Sequence, residues 1–185
     1  MRDTAVNLKS NSKLRSLGER LVTASLLKGD FLLSSGKRST YYFDKYLFET
    51  KPDLLRDVST ALLDLVPDNS QRLAGPELGA VPLVACMSLI GNLPYIIVRR
   101  NPKAYGTGRH FEGHIAPGES IVLVEDVVTS GNQALMAAEH LRNFGAQLDV
   151  VLCVLDREEG AQDKFAQREL KLLPLFTSRS LGITP

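Results

Sequence analysis

Two adjacent acids, Glu125 and Asp126, directly follow an apolar run in the segment IVLVEDVVTSGNQAL at residues 121–135. Small and hydroxyl-bearing residues (TSG) come next, and then a sequence that favours a helix. The N–H groups at a helix start, the helix dipole and neighbouring hydroxyls together form a site suited to phosphate. The two carboxylates would repel a bare phosphate chain, but they can accept hydrogen bonds from sugar hydroxyls or help to hold a divalent cation. The segment therefore predicts a site for a phosphorylated sugar. A helix start beside two solvated acids is the alternative.

A cationic, glycine-containing segment, VRRNPKAYGTGRHFEGHIAPGE, occupies residues 98–119. It places Arg99, Arg100, Lys103 and Arg109 close together in a chain whose formal net charge is only +1. Connections of this length in a compact domain are usually functional lids or disordered. A cationic loop that closes on a polyphosphate would stabilise the charge of a leaving group and exclude water. A solvated surface loop is the alternative.

A third segment, AGPELGAVPLVA at residues 74–85, reads as a strand, a tight turn and a helix. Gly75 and Gly79 bracket the turn. Backbone N–H groups in such a turn can contact an anion, and pyrophosphate would fit.

The elements that must position these residues alternate along the chain. Apolar residues spaced by three or four predict helices, and continuous apolar runs predict strands that are covered on both faces. This alternation predicts an α/β fold with a central parallel sheet, flanked by helices and joined by right-handed crossovers, in a single domain over residues 1–185. Ligands bind such sheets at the carboxyl ends of the strands, where the acids lie. The predicted order is helix 54–65, strand 71–74, helix 79–90, strand 94–99, loop 100–119, strand 120–125, helix 131–143, strand 148–155, helix 160–169 and strand 171–176.

Residues 1–50 break this alternation. Their pattern predicts a helix near 14–24 that stops at Gly29, followed by short strands around a loop. Thr50 and Asp53 resemble a capping box for the next helix. We therefore expect the first fifty residues to form a small N-terminal hood or lid rather than central strands.

Composition and charge limit the classes of partner. A net charge of +1 provides no global field for nucleic acid or an anionic membrane. The N-terminal segment lacks the apolar core of a signal peptide, and no segment approaches the length of a membrane span. We expect a cytoplasmic protein with neither partner. His110, His114 and His140 have no metal-ligand spacing, and no metal-binding residues are expected.

Several motifs resemble those of known phosphoribosyltransferases. VLVEDVVTSG resembles the phosphoribosyl-pyrophosphate (PRPP) signature of the type I enzymes. GDFLLSSGKRSTYYFD, AGPELGAVPLVA, VRRNPKAYGTGRHFEG and VLDREEGA narrow the resemblance to the orotate phosphoribosyltransferases, over residues 28–162 and in that family's order. The resemblance implies the type I fold and transfer of phosphoribosyl from PRPP to orotate in pyrimidine biosynthesis. It also implies Mg²⁺ that is bound mainly through PRPP or pyrophosphate.

The resemblance also implies roles for the matching residues. Glu125 and Asp126 would hold the ribose hydroxyls, and Lys103 and Asp126 would be catalytic. Arg157 would pair with orotate, with Thr129 as its neighbour. The implied PRPP-binding set is Arg99, Arg100, Lys103, Tyr105, Glu125, Asp126, Val127, Val128, Thr129, Ser130, Gly131, Asn132 and Gln133.

Assembly is implied in the same way. The loop that carries Lys103 would complete the site of a neighbouring subunit, which gives a homodimer with shared active sites. A loop that closes on its own site is the alternative.

Three positions depart from the family pattern. Arg100 stands where many members have lysine, Tyr105 where histidine is frequent, and Ser34 where bacterial members often have lysine. Lys37 or Lys45 could replace the cation that is missing at Ser34.

Two other functions stay open at this point. One is a purine-base phosphoribosyltransferase. The N-terminal motif and Arg157 are evidence against it, because both match the orotate enzymes. The other is a non-catalytic regulator that senses PRPP, against which the lack of a helix-turn-helix segment speaks.

Overall fold

The structure is a computed structural model that describes residues 12–32, 36, 38–101 and 110–183. Lys103, Tyr105, Arg109, Ser34 and Lys37 lie outside the described residues. The elements in chain order are α1 Ser12–Ser25, β1 Leu26–Leu32, β2 Arg38–Phe43, α2 Tyr46–Glu49, α3 Pro52–Leu63, β3 Arg72–Pro76, α4 Ala80–Gly91, β4 Tyr95–Val98, β5 Phe111–Glu112, β6 Ile121–Val128, α5 Asn132–Phe144, β7 Val150–Asp156, α6 Ala161–Ala166 and β8 Lys171–Thr177.

Six strands form the central sheet in the order β5-β4-β3-β6-β7-β8. All neighbouring pairs are parallel except β4 and β5. The predicted α/β class, with a central sheet flanked by helices, is confirmed. Because the chain passes from β3 to β4 on one side and continues from β6 to β7 on the other, the boundary between β3 and β6 is the topological switch point. Ligands bind sheets of this kind at such a point.

The sheet is covered on both faces, as its continuous apolar strands predict. Successive side chains of a strand point to opposite faces, and β6 shows this clearly. Val122 and Val124 belong to a hydrophobic cluster that includes residues of α1, α3 and α4. Ile121 and Leu123 belong to a second cluster, with residues of α5 and α6. Both layers fix β6 between them, and β6 carries the acidic pair.

The N-terminal segment forms α1, a separate antiparallel pair of strands and the short helix α2. The predicted helix stop at Gly29 is wrong, because α1 ends at Ser25 and Gly29 lies inside β1. Pairing of Leu26 with Phe43, in the neighbouring β2, starts the strand immediately after the helix.

The predicted capping box at Thr50 and Asp53 is also wrong. The Thr50 hydroxyl donates to the carbonyl of Tyr46, one turn back. Lys51 is the N-cap of α3, and its side chain makes no capping hydrogen bond in the described structure. Pro52 begins the helix instead, since its fixed φ suits the first turn and its missing N–H is not needed there.

Two boundaries near the acidic pair differ from the predictions. The strand predicted to end at Glu125 continues to Val128, because its pairing with β7 extends to Asp156. Part of the predicted loop 100–119 forms β5, which pairs antiparallel with the end of β4. The acids therefore lie within the last part of a paired strand rather than beyond it.

In the part of the chain that the structure describes, none of the helices has the length and apolar character needed to cross a membrane.

Candidate active site

A cavity of about 670 Å³ lies at the carboxyl ends of β3 and β6. Four parts of the chain line it, at residues 45–46, 76–79, 100–101 and 125–134. Of the residues predicted to bind PRPP, the lining includes Arg100 and every residue from 125 to 133. The structure thus brings most of the predicted set to one cavity at the switch point.

The loop between β6 and α5 has the geometry of an anion site. Residues 130–134, which include the first turn of α5, line the cavity, and the first N–H groups of a helix lack intrahelical partners. Gly131 has a φ of +75°, and a Cβ there would lie 2.4 Å from the ring of Phe165. Glycine is therefore required where the chain turns from strand into helix.

A cation that the sequence analysis missed supports this loop. The Nζ of Lys164, on α6, donates to the Ser130 carbonyl at 3.2 Å and to Asn132 Oδ1 at 3.1 Å. The ammonium group fixes both ends of the turn at Gly131 and brings positive charge close to the predicted phosphate position. The lysine lies two elements further along the chain, so no local pattern marks it.

The acidic pair is buried. Glu125 is 8% exposed and Asp126 is 3% exposed. Asp126 accepts hydrogen bonds from Lys45 Nζ and from the N–H of Val127. Burial, reinforced by the negative charge of Asp126, raises the pKa of Glu125, although Lys45 opposes the shift. Glu125 therefore tends to hold a proton, whereas Asp126 forms an ion pair with Lys45.

Lys45 enters the cavity from the residue before α2 and forms an ion pair with Asp126. Burial lowers the pKa of Lys45, but attraction to Asp126 outweighs burial and leaves the pKa above its ordinary value. The lysine is charged in this setting. From the sequence, Lys45 was a candidate only for replacing the cation that is missing at Ser34.

Glu49 is a further acid close to this ion pair. It is 3% exposed, and neither carboxyl oxygen has a hydrogen-bond partner among the described residues. Burial raises its pKa to about 8, with a further contribution from the charge of Asp126. Glu49 is therefore mostly protonated at neutral pH, so it adds little negative charge next to the cavity.

Arg157 lies beside the cavity and is not among its lining residues. It follows β7, and its N–H donates to the Val128 carbonyl at 2.8 Å. Its Nη2 donates to Tyr41 Oη at 3.0 Å, and its guanidinium carbon lies 5.2 Å from the centre of that ring. Its Nε is 3.2 Å from Glu159 Oε1, without hydrogen-bond geometry. The structure thus holds Arg157 next to Thr129 and against the N-terminal strand pair.

Arg99 is not among the residues that line the main cavity. Its Nη1 lies 3.5 Å from Glu112 Oε1 and 3.9 Å from Glu77 Oε2. It lines a smaller neighbouring pocket of about 210 Å³. Arg100 lines both pockets, and its N–H donates to Glu77 Oε1 at 3.0 Å. Of the two predicted arginines, only Arg100 faces the acidic pair's cavity.

Among residues 12–32, 36, 38–101 and 110–183, no group of three or more histidine, cysteine and acidic side chains could hold a metal ion.

His140, predicted as a helix surface residue, is half-buried and stacks on His110 with ring centres 3.8 Å apart. Burial lowers the pKa of His140, and the charge of the neighbouring His110 lowers it further.

Comparison with known proteins agrees with this geometry. No family model matches the chain. The chain is 47% identical over 153 residues to an orotate phosphoribosyltransferase of Natronomonas pharaonis, covering 83% of this chain and 87% of that protein. The crystal structure of orotate phosphoribosyltransferase from Aeropyrum pernix is similar, with a TM-score of 0.81 and 30% identity, over 89% of this chain and 95% of that one.

The UMP synthase of Leishmania donovani also has a TM-score of 0.81, at 26% identity. The likeness covers 94% of this chain but 38% of that longer chain. The fold and the site define a phosphoribosyltransferase. The chain belongs to the orotate phosphoribosyltransferase family.

Proposed function

We propose that this chain transfers the phosphoribosyl group from PRPP to orotate, giving orotidine 5′-monophosphate and pyrophosphate in pyrimidine biosynthesis. Membership of the family supports the reaction. The observation that carries the proposal for this chain is the cavity itself, in which Glu125 and Asp126 adjoin the loop at the start of α5. That pairing suits a sugar that carries a phosphate.

In the proposed complex, the 5′-phosphate binds the loop from Thr129 to Gln133, including Ser130, Gly131 and Asn132. The ribose hydroxyls bind Glu125 and Asp126, with Val127 and Val128 providing backbone contacts. The pyrophosphate lies towards the turn at residues 76–79 and the cationic side chains. Resemblance to the family is the support for the contacts of Arg99, Arg100, Lys103 and Tyr105 with the pyrophosphate.

Orotate is assigned to Arg157 and Thr129. A planar guanidinium can make two parallel hydrogen bonds to a carboxylate. The contact with Tyr41 supports the assignment, because it holds the arginine close to the end of β6. The base would then lie between the N-terminal segment and the acidic pair.

The reaction breaks the bond from ribose C1 to the pyrophosphate oxygen, through a transition state with oxocarbenium character. A ring nitrogen of orotate then supplies the electron pair for the new bond at C1, and pyrophosphate leaves with its electrons. That nitrogen is acidic and gives up its proton to solvent or to the departing pyrophosphate, so the protein needs little base catalysis. Its residues orient both substrates, stabilise the leaving group and exclude water.

Mg²⁺ belongs to the proposal as an ion that arrives with PRPP. Glu77, Glu125 and Asp126 line the cavity and carry the oxygen atoms that Mg²⁺ prefers. Since Lys45 already engages Asp126, we assign the ion mainly to oxygens of PRPP and pyrophosphate. When bound, it would neutralise charge on the leaving group.

The proposal treats residues 1–185 as one domain in which residues 1–50 act as a hood. Contacts of Tyr41 with Arg157 and of Lys45 with Asp126 support this role. We also propose a cytoplasmic location, which suits nucleotide biosynthesis, and no membrane or nucleic-acid partner.

A base-competition assay tests the proposed substrate. With PRPP and Mg²⁺ present, orotate should be consumed in preference to adenine and hypoxanthine. If the enzyme consumes adenine or hypoxanthine in preference to orotate, that purine base is the substrate instead. Retention on nucleic acid at physiological salt, together with no turnover of any base, would favour a PRPP-sensing regulator instead.

We further propose a homodimer in which the loop that carries Lys103 completes the partner's site. The family resemblance supports this arrangement. A second support is the charge of the cavity, since Lys45 and Arg100 are the cations among its described lining residues. PRPP is a polyanion, and further cations from a second subunit would balance it.

Subunit complementation tests the shared site. Lys103→Ala and Asp126→Asn, each nearly inactive, are unfolded together and refolded. If the loop acts on the partner, each heterodimer has one intact site, and activity should return to about a quarter of that of refolded wild type. A mixture that stays inactive would show that the loop acts on its own site.

A matched pair controls for other effects of mixing. Arg157 and Asp126 lie at the same edge of one chain's sheet, so Arg157→Ala mixed with Asp126→Asn leaves one defect in every site. At an orotate concentration well below the KM of Arg157→Ala, the refolded mixture should be no more active than the two variants refolded separately.

A further inference from the structure

Lys45 is placed to contact more than Asp126. Its side chain is 30% exposed, whereas that of Asp126 is 5% exposed, so the ammonium group stands between the buried carboxylate and the open cavity. A ligand that enters the cavity therefore meets the lysine before it meets the full carboxylate.

The lysine ammonium also adjoins the turn between β3 and α4. A Cβ at Gly79 would lie 1.6 Å from Asp126 Oδ2 and 2.5 Å from Lys45 Nζ. Gly79 has ordinary helical dihedral angles, with a φ of −63°. The absence of a side chain there is thus explained by space for the ion pair rather than by the backbone.

The charges around the cavity give Lys45 a second role. The described residues that line it include three acids, Glu77, Glu125 and Asp126, and two cations, Lys45 and Arg100. A polyanion entering this cavity needs both cations. Asp126 is expected to accept the ribose hydroxyls of PRPP, and hydroxyls bound there would compete with Lys45 for its carboxylate.

Glu49 does not offer the lysine a strong alternative anion. Lys45 interacts with Glu49 electrostatically, but burial raises the pKa of Glu49 to about 8. At neutral pH the acid is mostly uncharged, so a displaced ammonium group is attracted more strongly to an anion in the cavity.

We propose that Lys45 is a diphosphate-binding residue. In the empty site Asp126 holds its ammonium group. When the ribose hydroxyls take over Asp126, the ammonium group turns to the diphosphate of PRPP beside the turn at residues 77–79. This inference rests on the proposed binding of PRPP, and it assigns a substrate contact to a lysine from the N-terminal segment.

Binding of inorganic pyrophosphate with Mg²⁺, measured by calorimetry, separates this role from a purely structural one. Pyrophosphate has no ribose, so it makes no hydroxyl contact with Asp126 and competes with that carboxylate for the Lys45 ammonium group through its own charge. Lys45→Met should weaken its binding about 10- to 100-fold, the range for a lost hydrogen bond to a charged group. Lys45→Arg should keep most of the affinity. Asp126→Asn should bind pyrophosphate as well as or better than wild type, because it releases the lysine.

Kinetics give a second readout. Lys45→Met should raise the KM for PRPP much more than the KM for orotate. Lys51→Met, which changes an exposed lysine six residues further along the chain, is the matched control and should leave both constants unchanged. Melting temperatures close to that of wild type establish that the variants fold.

Wild-type affinity for pyrophosphate in a folded Lys45→Met variant would overturn the proposal, because it would limit the lysine to orienting Asp126. A wild-type protein that neither binds pyrophosphate nor consumes orotate would instead overturn the proposed function.

Discussion

Asp126→Asn is expected to fold as the wild type does and to reduce kcat/KM for PRPP about 100-fold. The change keeps the shape of the side chain but removes its charge. Ribose loses a charged acceptor, and hydrogen bonds to charged groups contribute about 1.5–3 kcal/mol. A tenfold change in an equilibrium or rate corresponds to about 1.4 kcal/mol, so the upper part of that range gives the expected loss. Steady-state kinetics with varied PRPP measure it.

The fold should survive because asparagine has almost the same volume, although Asp126 is buried rather than exposed at a strand end. Asparagine can still accept the N–H of Val127, although it holds Lys45 much less tightly than the carboxylate does. A melting curve and circular dichroism check the fold. Unchanged kinetics in a folded variant would remove Asp126 from the assigned role.

Arg157→Ala should raise the KM for orotate far more than the KM for PRPP. Removing one partner of a desolvated charge pair typically costs about 2–5 kcal/mol, which corresponds to an increase of about 30-fold or more. The side chain is 12% exposed, so water replaces the guanidinium poorly. Initial rates with each substrate varied in turn give both constants.

Tyr41→Phe is the matched control for Arg157. It removes the hydroxyl that accepts from Nη2 but keeps the ring beneath the guanidinium. It should shift the orotate KM in the same direction by a smaller factor, since the arginine stays charged and in place. Equal effects of Arg157→Ala on both substrates would show that the arginine does not pair with orotate.

The sequence predicted the parts of the fold and site that depend on local pattern. Apolar periodicity located the strands of the central sheet that follow the N-terminal segment, apart from the short β5 inside the predicted loop. The acids, the TSG turn and the start of α5 are contiguous, so their grouping at the end of β6 followed from that sheet. Residues 125–133 all line the cavity for this reason.

Contacts between segments that are far apart in the chain could not be predicted from local sequence patterns. Lys45 and Asp126 are 81 residues apart, and Tyr41 and Arg157 are 116 residues apart. The N-terminal family motif includes Tyr41, but it does not indicate that this residue contacts Arg157. Lys45 was one of two candidates for replacing the cation that is missing at Ser34. Their positions depend on how the N-terminal strand pair and α2 pack against the sheet.

Boundary errors had a similar cause. β6 runs three residues past its predicted end because β7 pairs with it to Asp156. α1 ends at Ser25 because β2 pairs with the residues that follow. In each case, pairing with another strand decided where the element ends, and the residues at the boundary did not reveal it.

Consumption of orotate tests the central claim most directly. The wild-type protein is mixed with orotate, PRPP and Mg²⁺, and the absorbance of orotate is followed with time. We expect the absorbance to fall only when protein and PRPP are both present, with pyrophosphate and orotidine 5′-monophosphate formed in equal amounts. A folded protein that binds PRPP but leaves the orotate absorbance unchanged would contradict the proposed function.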